Sequence, residues 1–431
     1  MIWIWIVAAV LISWLFCKRG IGWYHYIWLL LPIEMYGVTI AGATVKPYML
    51  FGICIIVSDF IRNKTIRVHT TIIAVTFALI ISDFLTGFVT SSVMQHIMFI
   101  LVLIIGYCYQ NYQRGGIEFE GICQAALATT LGYGIVFTFA WVLFRYGVTN
   151  NGIYAFDRME TGIILKLTSS GGIVSSRLRG FCIDPNSVIT TLIPGAAYAL
   201  TNIVYRKKEI AKSLFAIASY LTVVICSGSR MALICSLVML LIFYVVGYKR
   251  SQNKRHMTAI SIAAIGALLI VFVFNVDAIT HEISEIWAEM FGDRASFDSE
   301  YGRLTIWKTI IRYLIDNNKE WFGVGQNQIY LLTEKGRACH NTWFEWICGT
   351  GVIIGSVIDL WFILAPVRFK KRAKGLGEKE LQNARSIIIA YITVLLCLST
   401  VDNITNSVLL FLMLILRYGT INRKQLVERI A

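Results

Sequence analysis

Four short polar groups interrupt an otherwise apolar chain, and their residue types suit chemistry on phosphate and on hydroxyl groups. The first is RLRGFCIDPN over 177–186, which carries Arg177, Arg179, Asp184 and Asn186 directly into an apolar run. The second is CSGSRM over 226–231, with Ser229 and Arg230 at what reads as a tight turn. The third joins GRLTIW over 302–307, containing Arg303, to WFGVG over 321–325. The fourth is CHNTWFE over 339–345, with His340, Asn341 and Glu345 where a long loop re-enters an apolar run. Guanidinium forks match phosphate oxygens two at a time, so several together can neutralise a diphosphate without a metal ion. His340 would stand at a helix N-terminus, whose dipole favours the neutral imidazole that a general base needs.

Each group also has a plainer reading. Asp184-Pro185-Asn186 before a helix is ordinary capping and turn chemistry. Arg230 beside an apolar run can snorkel to headgroups, and Arg303 can be a lipid-phosphate contact. The glycines of 321–325 lack the lysine and hydroxyl residue of a phosphate-binding P-loop and read as a turn. The cysteines show no C-x-x-C spacing, and no histidine pair stands at metal-ligand distance along the chain. Most cysteines lie inside apolar runs as small buried residues, while Cys182 and Cys339 adjoin motifs and are candidates for an external disulfide.

The elements that must position these groups are membrane helices. Of the 431 residues 57% are hydrophobic and 15% charged, against about 45–50% and about 25% in soluble chains. Apolar runs fall at 2–16, 23–43, 46–61, 70–89, 92–110, 124–144, 187–204, 213–228, 231–248, 257–275, 341–367, 386–400 and 404–418. They predict an all-α polytopic bundle of roughly 12–13 crossings, in one membrane domain over 1–431. The net charge of +14 does not indicate nucleic-acid binding, because the basic residues cluster in short segments at 205–212, 249–256 and 368–379. Such clusters mark cytoplasmic loops. That orientation puts the N-terminus outside, turns the 213–248 hairpin outside at Ser227–Arg230, and exposes two external segments, 145–186 and 276–340. Residues 1–16 precede Lys18-Arg19 rather than follow a basic stretch, the reverse of a signal peptide, so they read as a retained first helix. Within the longer segment, Ile279, Ile283, Ile286, Trp287 and Met290, then Trp307, Ile310, Ile311 and Leu314, recur at helical spacing. Interleaved with Lys308 and Arg312, the second stripe predicts an amphipathic helix lying on the membrane.

The order RLRGFCIDPN, SGSRMAL, GRLTIW with FGVG, then HNTWFEWICGTGVIIG resembles the O-antigen ligase and Wzy-type polymerase superfamily, over about 177–356. The resemblance implies a GT-C-like, metal-independent membrane glycosyltransferase needing no cofactor. It would act at the outer face of the cytoplasmic membrane on glycans carried by undecaprenyl diphosphate. By motif position, Arg230 with Arg179 or its neighbour Arg177 would hold the diphosphate, and His340 would deprotonate the acceptor hydroxyl. Arg303 matches an arginine that recurs in the family's loop. Asp184, Asn186, Ser229, Asn341 and Glu345 share these motifs and would support them. Two arginines stand where one is expected, and spacing does not choose between them.

Two activities fit the family. A polymerase lengthens lipid-linked repeats of an O-antigen, capsule or exopolysaccharide, and a ligase moves a finished glycan to a lipid or protein acceptor. Partners implied are lipid-linked glycans as donor and acceptor, the bilayer, a chain-length regulator and a flippase. The polymerase is favoured because it requires no specialised acceptor. From a different class, a lipid-linked sugar transporter would use acidic residues near the midplane, for which Glu34, Asp59, Asp83 and Asp359 are the candidates.

Overall fold

The structure is a computed structural model and describes residues 2–40, 43–66, 68–113, 117–147, 162–169, 172–250, 303–332, 339–373, 376–401 and 403–419. The apolar run 257–275, the stripe from Ile279 to Met290 and most of the long loop lie outside these residues.

Helices dominate, as the apolar runs require: α1 (Ile2–Phe16), α2 (Pro47–Asn63), α3 (Thr70–Leu85), α4 (Thr90–Tyr112), α5 (Phe119–Arg145), α6 (Pro185–Thr201), α7 (Ile210–Cys226), α8 (Arg230–Arg250), α9 (Arg303–Asp316), α10 (Thr342–Thr350), α11 (Val352–Ile363), α12 (Ala365–Arg372), α13 (Glu378–Cys397) and α14 (Ser407–Tyr418). Among the described residues, five helices or helix pairs are long and apolar enough to cross a bilayer, and five shorter apolar helices accompany them. Helices α6 and α14 are buried along nearly their whole length and form the centre. Outer helices are apolar on both faces. In α3, Ile72, Val75 and Leu79 face the core while Ile73, Phe77, Ile80 and Phe84 stay exposed. A helix hydrophobic all round is stable only when lipid covers what protein does not. The protein is a multi-pass membrane protein.

The run 23–43 does not form the helical crossing its hydropathy predicts. A 3-10 turn (Trp23–Leu29) leads into irregular chain and then a short antiparallel hairpin, β1 (Val38–Ile40) with β2 (Ala43–Val45). Pro32, which cannot continue a helical hydrogen-bond ladder, lies in the middle of the run. Non-helical backbone at membrane depth needs partners from the surrounding protein. They are present: Thr129 Oγ1 donates to Trp28 O (3.2 Å), Tyr133 OH to Leu29 O (2.7 Å), Ser407 Oγ to Leu31 O (3.4 Å) and Cys182 Sγ to Pro32 O (3.7 Å).

The run 341–367 also differs from a single helix, since it breaks at Gly351 and again at Leu364. Gly351 has φ +85°, and a Cβ there would lie 2.0 Å from Trp321 O. The break admits the chain of 320–325, held by Val324 N to Cys348 O (3.1 Å), Gly325 N to Gly349 O (2.9 Å) and Val352 N to Glu320 O (3.0 Å). The glycine-rich third motif is thus a backbone dock for the fourth.

A second hairpin, β3 (Ile164–Ser169) with β4 (Gly172–Leu178), occupies the segment before α6 and was not foreseen from the sequence. Helix α9 packs one apolar stripe against protein. Its buried stripe is Ile306, Ile310 and Leu314, packed with Ile329, Cys339 and Cys348 into a small second core, while Ile311 is exposed.

The basic segments gather at one end of the bundle. Arg206 pairs with Glu120 (2.9 Å), Lys379 approaches the same carboxylate (3.6 Å), and Lys212 donates to Phe16 O (2.6 Å). Tyr198 and Asn383 join Arg206 and Glu120, tying α5, α6 and α13 together there.

Candidate active site

The opposite end holds a cavity of about 780 Å³. Five helices begin at its wall: Lys46 precedes α2, Thr90 opens α4, Asp184 caps α6, His340 adjoins the cap of α10, and Thr405 adjoins the cap of α14. Each N-terminus carries about half a positive charge, so their convergence favours an anionic ligand.

The caps fix this geometry. Asp184 accepts from Asn186 N (2.6 Å) and leads into Pro185 at the first helical position. Asn341 Oδ1 accepts from Trp343 N and Phe344 N (both 3.1 Å), so Asn341 closes α10 and leaves His340 one residue outside it. His340 lines the cavity, half-buried, with φ +52°. Its loop is held from several sides. Trp307 Nε1 donates to Cys339 O (2.8 Å), Asn403 N to Thr342 Oγ1 (3.1 Å), and Thr342 Oγ1 to Val401 O. Glu345 also lines the cavity; its Oε1 accepts from Asn327 N (3.0 Å) and its Oε2 from Cys339 Sγ (3.5 Å). Cys182 and Cys339 are both free thiols.

The two arginines of the first motif separate. Arg179 is almost fully buried and donates from Nε to Gly162 O (2.8 Å), while its own N and that of Gly180 bond Ile163 O. Arg177 is half-buried and donates from Nε to Ser227 O (2.9 Å), lying along the Ser227–Ser229 turn before α8. That turn is joined to the cap of α6, because Ser229 Oγ donates to Asn186 Oδ1 and also accepts from Ala232 N (3.0 Å). The first turn of α6 therefore presents Asp184 and Ser187 to the cavity and Asn186 to the 227–230 turn. Arg230 is the first residue of α8 and Arg303 the first of α9; their side chains lie outside the described residues.

Residues 214–358 match the family model described as O-antigen ligase, Wzy_C. The chain carries an O-antigen ligase domain. The match supports the superfamily that its motifs resemble, one of membrane glycan-processing enzymes. No curated protein matches the chain. The ligase domain spans the 227–230 turn, α9, the glycine dock and the His340 loop. Arg177, Arg179 and the cap of α6 precede it and join it through the contacts just described.

The sequence reading missed part of the wall. Lys46 and Asn403 line the cavity unforeseen, and Glu34, noted only as a transport candidate, lines it too. Glu34 is buried and accepts from Asn403 Nδ2 (3.1 Å) at Oε2 and Asn406 Nδ2 (3.2 Å) at Oε1. A signal for Lys46 did exist. A lone lysine at this end of the chain's second helix runs against the positive-inside bias that places the other basic segments.

Proposed function

We propose that the protein is a glycosyltransferase of the cytoplasmic membrane that polymerises undecaprenyl-diphosphate-linked repeat units at the outer face. The supporting observation is one cavity, walled by five helix N-termini and containing His340, linked through the cap of α6 to the Arg177–Ser227 contact and the start of α8. In this reading Arg177 and Arg230 hold the donor diphosphate, Arg179 anchors the hairpin, and Arg303 reaches the ligand from α9. The imidazole of His340 takes the proton of the acceptor hydroxyl as its oxygen bonds the donor's anomeric carbon. The bond from that carbon to the diphosphate oxygen breaks, and lipid diphosphate leaves with the electron pair. The leaving group needs no protonation when cations absorb its charge. Glu345, Asn341, Asp184, Asn186 and Ser229 keep the loop, the cap and the turn in register.

Transfer of a finished glycan to a lipid or protein acceptor is the second reading, favoured by the description of the matched family. Purified protein incubated with lipid-linked repeat units and no other acceptor separates the two. Longer lipid-linked chains support polymerisation. Unchanged repeats, with transfer only on adding a core-lipid or protein acceptor, would establish the ligase.

A further inference from the structure

Lys46 is a cation in the field of the buried Glu34 carboxylate. It precedes α2, at a helix terminus whose dipole disfavours positive charge, and its side chain makes no capping hydrogen bond. Among the described residues no hydrogen bond or ion pair reaches its ammonium. The carboxylate whose charge it feels most, Glu34, is already committed. Asn403 and Asn406 occupy one oxygen each, and Asn406 is fixed in turn by Thr190 Oγ1 (3.0 Å) and by capping Leu409 N (2.9 Å). Glu34 is thereby held toward the start of α14. The remaining space beside Lys46 is the cavity that His340 lines.

We infer that Lys46 is a ligand-binding residue of this cavity, giving its ammonium to a phosphate oxygen of the donor's lipid diphosphate. The inference rests on the cavity being the lipid-diphosphate site. It adds a cation from outside the ligase domain, on the wall of the cavity itself. A point charge with three rotatable donors suits a diphosphate that changes charge distribution as it leaves.

The test uses full-length purified protein in detergent and two probes, undecaprenyl diphosphate and undecaprenol. Wild type is expected to prefer the diphosphate. Lys46→Met should weaken diphosphate binding roughly tenfold or more, as expected for loss of a charge-assisted hydrogen bond, and leave undecaprenol binding unchanged. Lys46→Arg should retain most of the preference. Glu34→Gln should bind the diphosphate as well as wild type or better, and Glu34→Gln/Lys46→Met should bind as poorly as Lys46→Met alone. Equal diphosphate binding by wild type and Lys46→Met would overturn the inference and leave the proposed function standing. Recovery of wild-type binding in the double variant would overturn it too, because Lys46 would then serve only to offset Glu34. A wild type that binds both probes equally would remove the lipid-diphosphate reading itself. Loss of thermal stability in Lys46→Met with no loss of binding in Lys46→Arg and Lys46→Gln would assign Lys46 to the fold alone and also overturn the inference.

Discussion

At the scale of single residues, the division of labour between Arg177 and Arg179 is the sharpest statement the geometry makes. Arg179 serves the base of its own hairpin, whereas Arg177 reaches the turn that opens α8. Arg177→Ala is expected to lower the transfer rate by about 10²–10³, the cost of losing one preorganised electrostatic partner, beyond any loss of stability from its hydrogen bond to Ser227 O. Arg179→Ala should instead destabilise the protein by about 1.5–3 kcal/mol, since it removes a charged hydrogen bond from a buried carbonyl. Paired rate and melting measurements on the two variants check this, and the opposite pattern would reverse the assignment. His340→Ala should cost on the order of 10²–10⁴ in rate while the protein still inserts and folds. Wild-type glycan length from that variant would count against a base at this position. The types of these residues were legible from sequence, because arginine, histidine and their flanking turns are local signals. Their pairing was not. Nothing in RLRG says which guanidinium faces inward, and the asparagines that clamp Glu34 lie hundreds of positions away along the chain.

At the scale of elements, hydropathy located the helices well wherever burial and lipid exposure both demand apolar residues. It failed at 23–43 and 341–367, where the chain is apolar but not continuously helical. In the first, the composition reflects burial among other helices, and the free carbonyls are answered by Thr129, Tyr133 and Ser407, which no local pattern reveals. Removing one such donor, as in Tyr133→Phe, is expected to cost about 1–3 kcal/mol by leaving Leu29 O unsatisfied. In the second, Gly351 was visible as a residue but not as a break, because the reason for the break is the distant segment 320–325. Gly351→Ala places a Cβ against Trp321 O in a left-handed backbone, and a loss of at least about 1–2 kcal/mol is expected from conformation alone. Thermal unfolding in detergent reads both. At the basic end, the Trp28 indole donates to the Tyr109 hydroxyl, which donates to His25 Nδ1, leaving Nε2–H to donate to Glu118 (3.0 Å). That hydrogen bond holds the Glu118 carboxyl below its ordinary value of 4.5. Its stabilising effect is therefore present above about pH 4.5 and lost as the pH falls through the lower folded-state value. Glu118→Gln should melt below wild type at pH 7, and the gap should close in acid.

At the scale of the whole molecule, the two ends of the bundle differ in kind. One collects the lysines and arginines of the short loops. At the other, five helix N-termini meet around a cavity lined by residues of the first and fourth polar motifs. A membrane protein keeps its basic loops in the cytoplasm, so the proposed function expects the cavity on the outside, where lipid-linked glycans would be joined. Accessibility of introduced cysteines tests the assignment directly. Ile183 and Tyr330 line the cavity and are exposed, while Lys208 and Glu378 are exposed at the basic end. The native cysteines are buried or partly so, apart from Cys54 in α2, whose replacement by serine supplies the background. In intact cells a membrane-impermeant maleimide should label Ile183→Cys and Tyr330→Cys but reach Lys208→Cys and Glu378→Cys only after lysis. The reverse pattern would put the cavity on the cytoplasmic side. His340 would then face the compartment where nucleotide-sugar chemistry builds the repeat, and joining finished repeats would have to occur elsewhere.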